Sequence, residues 1–101
     1  MKYAVQLTAR AERHLEHLDR WWRENRRYSS KSLEEQIVEV TANLGDYPTI
    51  RAVYARKRGR DIYRWRIGST PYYLYYWVDG ENAQVSVIAI WSIQKKKDPP
   101  L

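Results

Sequence analysis

The chain has 101 residues, of which 44% are hydrophobic, and it carries five Trp, nine Tyr and a net charge of +6. This length and this content of large apolar side chains predict one compact domain, and they exclude a disordered tail. Without cysteine there is no disulfide framework or thiolate chemistry, and no apolar run reaches the ~18 residues of a membrane span; we therefore expect a cytoplasmic protein with no membrane partner.

The first half of the sequence predicts a strand followed by two amphipathic helices. Lys2–Leu7 alternates like a short strand, and Thr8 is placed to cap the helix that follows. A second helix is predicted from Ser32, which opens a capping box, to Gly45 as a left-handed C-cap. Both helices carry apolar residues at i, i+4, i+7 and i+11, which predicts a helical hairpin with one apolar face: Ala11, Leu15, Leu18 and Trp22, then Leu33, Ile37, Val40 and Leu44.

The positive charge is concentrated directly after the predicted helices. Residues 48–70 contain seven basic residues and one acidic residue, a net +6 that equals the whole excess. A local field of this kind attracts anionic partners over about a Debye length, ~8 Å at physiological salt. Residues 51–60 are predicted to form a loop, and the sequence leaves open whether its charges bind a partner or only keep the protein soluble.

From residue 61 onward the hydrophobic period changes from 3.6 to 2 residues. The pattern predicts strands over 61–67, 72–78 and 84–93, separated by turns that contain Gly68 and Gly80. The predicted fold class is therefore α+β in two layers, as a single domain over residues 1–101. Its N-terminal strand and helical hairpin precede a three-stranded antiparallel meander, in the order β-α-α-β-β-β.

No set of metal ligands or nucleophiles is evident in the sequence. His14 and His17 lie at i,i+3, but a zinc or iron site needs three or four ligands. We interpret both histidines as residues of a helix surface and predict no metal and no cofactor. No serine lies in a nucleophile motif, and the four glycines form no phosphate-binding loop.

Arg64 and Arg66 are the strongest candidates for binding. At i,i+2 in a strand they share one face of the sheet, where two fixed guanidinium groups suit recognition of phosphate or carboxylate. Plain solvation of the two side chains is the alternative. About half of the aromatic residues in 72–78 should point to solvent and form a patch that a partner covers, although the sequence does not decide which half.

The order of several motifs resembles the RelE/ParE superfamily of bacterial type II toxins, and its ParE-like branch most closely. The resemblance covers nearly the whole chain, and its motifs lie at residues 9–13, 21–25, Leu44–Pro48, Arg64, 72–79 and 88–91. It implies a small growth-inhibiting toxin that a cognate antitoxin neutralises, in a toxin–antitoxin hetero-oligomer.

Two activities follow from the resemblance. The ParE-like branch is associated with inhibition of DNA gyrase, and the RelE-like branch with ribosome-dependent cleavage of mRNA without a metal. For the second activity the catalytic candidates are Arg64, Arg66 and Lys95. Three departures weaken it, because Trp77, Ser92 and Gln94 stand where an arginine, a histidine and an arginine are common.

We therefore expect a toxin that inhibits gyrase by binding. The alternatives are an mRNA endonuclease, or an inactive or nucleic-acid-binding relative. An acidic amphipathic segment of the antitoxin should bind the helix layer or the groove beside the sheet, with contacts to Trp21 and Trp77. The residues expected to bind the target are Arg60, Arg64, Arg66, Tyr73, Tyr75, Lys95 and Lys96.

Overall fold

The computed structural model describes residues 2–25 and 32–101 of the chain. Within these ranges it contains β1 (Ala4–Leu7), α1 (Ala9–Asn25), α2 (Leu33–Asp46), β2 (Val53–Lys57), β3 (Arg60–Arg66), β4 (Tyr72–Asp79) and β5 (Gln84–Ser92). The strands form one sheet in the order β1-β5-β4-β3-β2, in which β1 is parallel to β5 and the other neighbours are antiparallel. The predicted α+β class is confirmed, with the elements in the predicted order and one additional strand, β2.

Capping side chains set the starts of both helices as predicted. The Oγ1 atom of Thr8 accepts a hydrogen bond from the N–H of Ala11 (3.2 Å), and the Oγ atom of Ser32 accepts one from the N–H of Glu35 (3.0 Å). Each bond satisfies a backbone donor that has no partner within the helix. The predicted apolar stripes pack against the sheet. Among the residues that the structure describes, no helix is long and apolar enough to cross a membrane.

The prediction that Gly45 ends α2 is wrong. The helix continues to Asp46, and Tyr47 follows as the C-cap with φ −136°. The N–H of Tyr3 donates to the carbonyl oxygen of Gly45 (2.8 Å), and a Cβ atom on Gly45 would lie only 3.1 Å from the carbonyl oxygen of Tyr3. The missing side chain therefore permits the close approach of α2 to the residue before β1.

Residues 51–60 are not the loop that we predicted. Residues 53–57 form β2, which pairs with β3 through a turn at Arg58 and Gly59, both with positive φ (54° and 76°). The antiparallel meander consequently has four strands. The sequence pattern missed β2 because this strand lies at the outside of the sheet, where charged residues such as Arg56 and Lys57 need no apolar partner.

The sheet separates two apolar clusters. Both helices pack on one face, where Leu74, Tyr76, Val87 and Ile90 are buried. The opposite face, called the open face below, has a smaller cluster to which α1 and α2 contribute no residue in the described ranges. The structure thus answers the question that the sequence left open for residues 72–78: Tyr72, Leu74 and Tyr76 face the helices, and Tyr73, Tyr75 and Trp77 belong to the open face.

Candidate functional site

Arg64 is held on the open face by aromatic side chains from two other strands. Its guanidinium carbon lies 4.6 Å from the ring centre of Tyr54 and 4.5 Å from that of Tyr73. Burial raises the pKa of Tyr75, and the neighbouring guanidinium of Arg64 opposes the effect. Because the rings limit its rotation, Arg64 presents its charge from a fixed position.

Arg66 is fixed by a different contact. Its Nε atom donates to the carbonyl oxygen of Thr70 (2.9 Å). Arg64 and Arg66 line a groove of about 550 Å³ beside β3, called the β3 groove, together with Arg51, whose guanidinium carbon lies 4.4 Å from the ring centre of Trp65. Glu39 of α2 also lines this groove. The pairing of β2 with β3 stops at the Val53–Tyr63 pair, so this half of β3 has a strand partner only in β4.

Both arginines are available to a ligand. They are exposed, and neither takes part in the Asp19–Arg23 or the Arg56–Asp61 ion pair. The prediction that Arg64 and Arg66 share one exposed face of the sheet is confirmed.

Arg60 and Trp77 mark a second groove on the open face. The guanidinium carbon of Arg60 lies 3.9 Å from the ring centre of Trp77. The groove has a volume of about 380 Å³ and is called the hairpin groove below, because the β2–β3 hairpin forms one of its walls. It shares no lining residue with the β3 groove. Its lining includes Arg10 and Arg13 of α1, Lys57, Arg58 and Arg60 of the hairpin, Ile62, Trp77 and Ile88 of the floor, and Pro100 and Leu101.

Sequence reasoning missed Arg10 and Arg13. On α1 they alternate with acidic residues such as Glu12 and Glu16, so the helix shows no basic run. Only the folded chain places them opposite the hairpin, more than forty residues further along. Counting charges within short segments of the sequence cannot predict that these distant residues lie together.

The C-terminal lysines do not line the β3 groove. The Nζ atom of Lys95 lies 4.0 Å from the ring centre of Trp91, and Lys95 lines a third cavity, of about 270 Å³, with Trp21 and Tyr72. Lys96 is exposed. Lys95 therefore does not join Arg64 in one groove. The two expected antitoxin contacts are also separated, since Trp21 (46% exposed) lines this third cavity and Trp77 the hairpin groove.

His14 has a structural role. Its Nδ1 atom accepts a hydrogen bond from the N–H of Ile90 (3.2 Å), beyond the point where β1 stops pairing with β5. Burial lowers the pKa of His14, and the nearby charges of Arg10 and Lys95 act in the same direction. The neutral imidazole is thus the form that fits the fold. Among the described residues no group of three or more His, Cys, Asp or Glu side chains could hold a metal ion.

The strands supply fixed cations but few groups for proton transfer. They contain no histidine and two carboxylates, Asp61 and Asp79. Asp61 pairs with Arg56, and Asp79 accepts hydrogen bonds from the backbone of Glu81 and from Asn82, which lower the pKa of its carboxyl group. The chemistry that this arrangement performs best is the binding of anionic groups.

Residues 5–96 match the family described as the ParE toxin of the parDE type II toxin–antitoxin system. No curated protein sequence matches the chain. Among solved structures, a double mutant of the Escherichia coli toxin RelE in the free state is 27% identical, with a TM-score of 0.59, over 93% of this chain and 86% of that one.

Two further structures share the fold at lower identity. The RelBE2 toxin–antitoxin complex from Mycobacterium tuberculosis is 20% identical, with a TM-score of 0.66, over 91% of this chain and 99% of that one. The archaeal RelE–RelB complex from Pyrococcus horikoshii is 17% identical, with a TM-score of 0.66, over 94% of this chain and 99% of that one.

Proposed function

The chain belongs to the ParE toxin family of type II toxin–antitoxin systems, and on this premise we propose that it inhibits DNA gyrase by binding and that a cognate antitoxin neutralises it. The observation that carries the proposal is the fixed guanidinium of Arg64 between Tyr54 and Tyr73. A binding toxin needs charge in a defined place, and an arginine held in this way provides it.

The shortage of groups for proton transfer favours binding over catalysis. Cleavage of RNA through a 2′-hydroxyl needs a general base or acid, as well as cations that stabilise the phosphorane. The open face has the cations. The carboxylates of the strands, Asp61 and Asp79, are engaged in local contacts, and the imidazole of His14 accepts a backbone hydrogen bond.

An antitoxin partner agrees with the charge and the exposed aromatic surface of the chain. The net charge of +6 favours an acidic segment, and Trp21 and Trp77 offer apolar contacts in two cavities. A segment that folds on binding can reach both cavities, since such segments wrap large surfaces. The solved relatives include toxin–antitoxin complexes, which supports a hetero-oligomer for this chain as well.

A ribosome-dependent mRNA endonuclease is the second candidate. It is favoured by the guanidinium of Arg64 near Tyr75, because a fixed cation stabilises the negative charge of a transferring phosphate. The 27% identity to the toxin RelE supports the same activity. Two observations count against it: burial raises the pKa of Tyr75 further from neutrality, and Lys95 lies in a different cavity from Arg64.

The proposal is tested with purified protein, gyrase and relaxed plasmid. We expect less supercoiling with the wild-type protein, and Arg64→Ala should raise the half-inhibitory concentration about tenfold or more, because a charge-assisted hydrogen bond contributes ~1.5–3 kcal/mol. Arg20→Ala is the matched control: it removes an exposed arginine of α1 that lines neither the β3 groove nor the hairpin groove, and it should inhibit like the wild type. Unchanged supercoiling at a large molar excess of the protein contradicts the proposal.

Primer extension on a translated message tests the second candidate. New 5′ ends that appear with the wild type and vanish with Arg64→Ala would establish the endonuclease and displace the gyrase proposal. Normal growth after induction without an antitoxin, with neither effect, would identify an inactive relative.

A further inference from the structure

We propose that the hairpin groove is the docking site for an acidic segment of the antitoxin that also carries aliphatic side chains. The inference rests on the proposed antitoxin partner, but not on the identity of the cellular target. It concerns a surface distinct from the β3 groove, because the two grooves share no lining residue.

The rim of the groove attracts carboxylates. Among the residues that the structure describes, no acidic residue lines the groove, and five cationic side chains from two distant parts of the chain converge on it: Arg10, Arg13, Lys57, Arg58 and Arg60. Like charges brought together by a fold repel one another, and an acidic ligand relieves that repulsion. Arg10 is only partly engaged, since its Nη1 atom donates to the carbonyl oxygen of Pro100 (3.0 Å).

The floor of the groove selects for aliphatic side chains. Ile62 is 2% exposed, and Ile88, Trp77 and Leu101 are partly buried around it. Leucine or isoleucine side chains of a partner would bury apolar area there. The guanidinium of Arg60, 3.9 Å from the ring centre of Trp77, covers one face of the indole, so that face is closed to a stacking nucleobase. The floor therefore favours a peptide over a single-stranded nucleic acid.

The backbone of the hairpin supports the same assignment. Arg58 has φ 54°, a conformation that costs free energy for any residue with a Cβ atom and that glycine adopts without strain. A strained residue at the rim of a groove is a pointer to function. At about 380 Å³ the groove has the size of a ligand pocket, which suits a few side chains of an extended or helical segment.

Binding of a defined peptide to the full chain tests the proposal. The probe is a short acetylated peptide built of repeated Glu-Leu-Leu-Glu units, and two variants of the probe replace Glu by Gln or Leu by Ser. We expect the parent peptide to shift the indole N–H resonance of Trp77, and its Kd to rise steeply with salt concentration. Both altered peptides should bind about tenfold more weakly or not at all.

Matched variants of the protein locate the binding. The double variant Arg13→Ala with Arg58→Ala removes two exposed cations of the rim and should raise the Kd about tenfold or more. Arg20→Ala combined with Arg23→Ala makes the same change of charge on the part of α1 outside the groove and should leave the Kd within about twofold of the wild type. Thermal unfolding of each variant confirms that it is folded.

Three outcomes would overturn the inference. One is equal affinity for the Glu and Gln peptides; another is equal loss of affinity in the two double variants. The third is an oligouridylate that binds more tightly than the peptide and shifts the same Trp77 resonance, which would assign the groove to nucleic acid. Because the assay contains no gyrase, a chain that binds the peptide without affecting supercoiling contradicts only the proposed target. A chain that inhibits gyrase without binding the peptide contradicts only this inference.

Discussion

The hydroxyl group of Tyr76 donates a hydrogen bond of 2.9 Å to the carbonyl oxygen of Pro48. Tyr76 is fully buried at the centre of the sheet, and its burial raises the pKa of the phenol to about 12. Pro48 follows α2 and opens the basic stretch of the chain. The hydrogen bond from Tyr76 therefore holds the first residue of the basic stretch against the core beneath β4.

Replacing Tyr76 tests this attachment. Tyr76→Phe leaves the buried carbonyl of Pro48 without its donor, so we expect the free energy of unfolding to fall by ~1–3 kcal/mol. The measurement is urea denaturation followed by tryptophan fluorescence. Tyr72→Phe is the control, because Tyr72 is also buried but its hydroxyl has no hydrogen bond to a described residue, and its loss should be smaller. Equal losses in the two variants would show that the bond to Pro48 contributes nothing.

Protonation of His14 should weaken the fold in mild acid. In the folded state, burial lowers the pKa of His14, and the charges of Arg10, Lys95, Arg13 and His17 lower it further. In the unfolded chain the imidazole has its ordinary pKa of about 6.5. Below that pH the unfolded chain therefore binds more protons than the folded chain. Stability is then fully present above about pH 6.5 and declines as the pH falls through that value. Urea denaturation between about pH 7.5 and 5.5 measures the decline.

Two alanine variants isolate the contribution of His14 to this pH dependence. His14→Ala should lose most of it, whereas His17→Ala, which removes an exposed imidazole one turn further along α1, should retain it. A decline of the same size in both variants would assign the effect to other groups.

Gly45→Ala should bring no gain in stability. An alanine inside a helix is ordinarily better than glycine by ~1 kcal/mol. Here the added Cβ atom would lie 3.1 Å from the backbone oxygen of Tyr3, and the strain of that contact should cancel the gain. Gly80→Ala is the control, because a Cβ atom on Gly80 meets nothing within 4 Å. A rise of about 1 kcal/mol in the unfolding free energy of Gly45→Ala would contradict the close approach of α2 to Tyr3.

Arg58→Gly should separate stability from binding. Glycine adopts the positive φ of this turn position without strain, so the free energy of unfolding should rise by ~1 kcal/mol. The same change removes a cation from the rim of the hairpin groove and should weaken the binding of the Glu-Leu-Leu-Glu peptide. Chemical denaturation and a peptide titration measure the two effects. If Arg58→Gly binds the peptide with unchanged affinity, Arg58 is not part of the binding surface.

Local pattern was sufficient for much of this fold. The two-residue period of 61–67 placed Arg64 and Arg66 on one face, opposite Ile67, and the capping side chains of Thr8 and Ser32 marked both helix starts. These features depend on neighbours along the chain, which the sequence contains. The family assignment drew on the same local motifs and is confirmed.

The remaining features depend on contacts between distant residues. Gly45 serves a contact with Tyr3, forty-two positions earlier, and β2 is recognised as a strand only through its pairing with β3. The hairpin groove forms only because the fold brings α1 and Arg58 to opposite sides of one groove. Local periodicity predicts neither the placement of Lys95 and Arg64 in different cavities nor the convergence of five cations.

The parallel pairing of β1 with β5 has a consequence for biosynthesis. Because the first strand finds its partner only in the last, a nascent chain cannot complete the sheet until β5 has left the exit tunnel. Before that moment α1 lacks β5, the strand that supplies Val87 and Ile90 to its packing surface. Prematurely terminated translation products that lack β5 should therefore be unfolded and harmless to the cell that makes them.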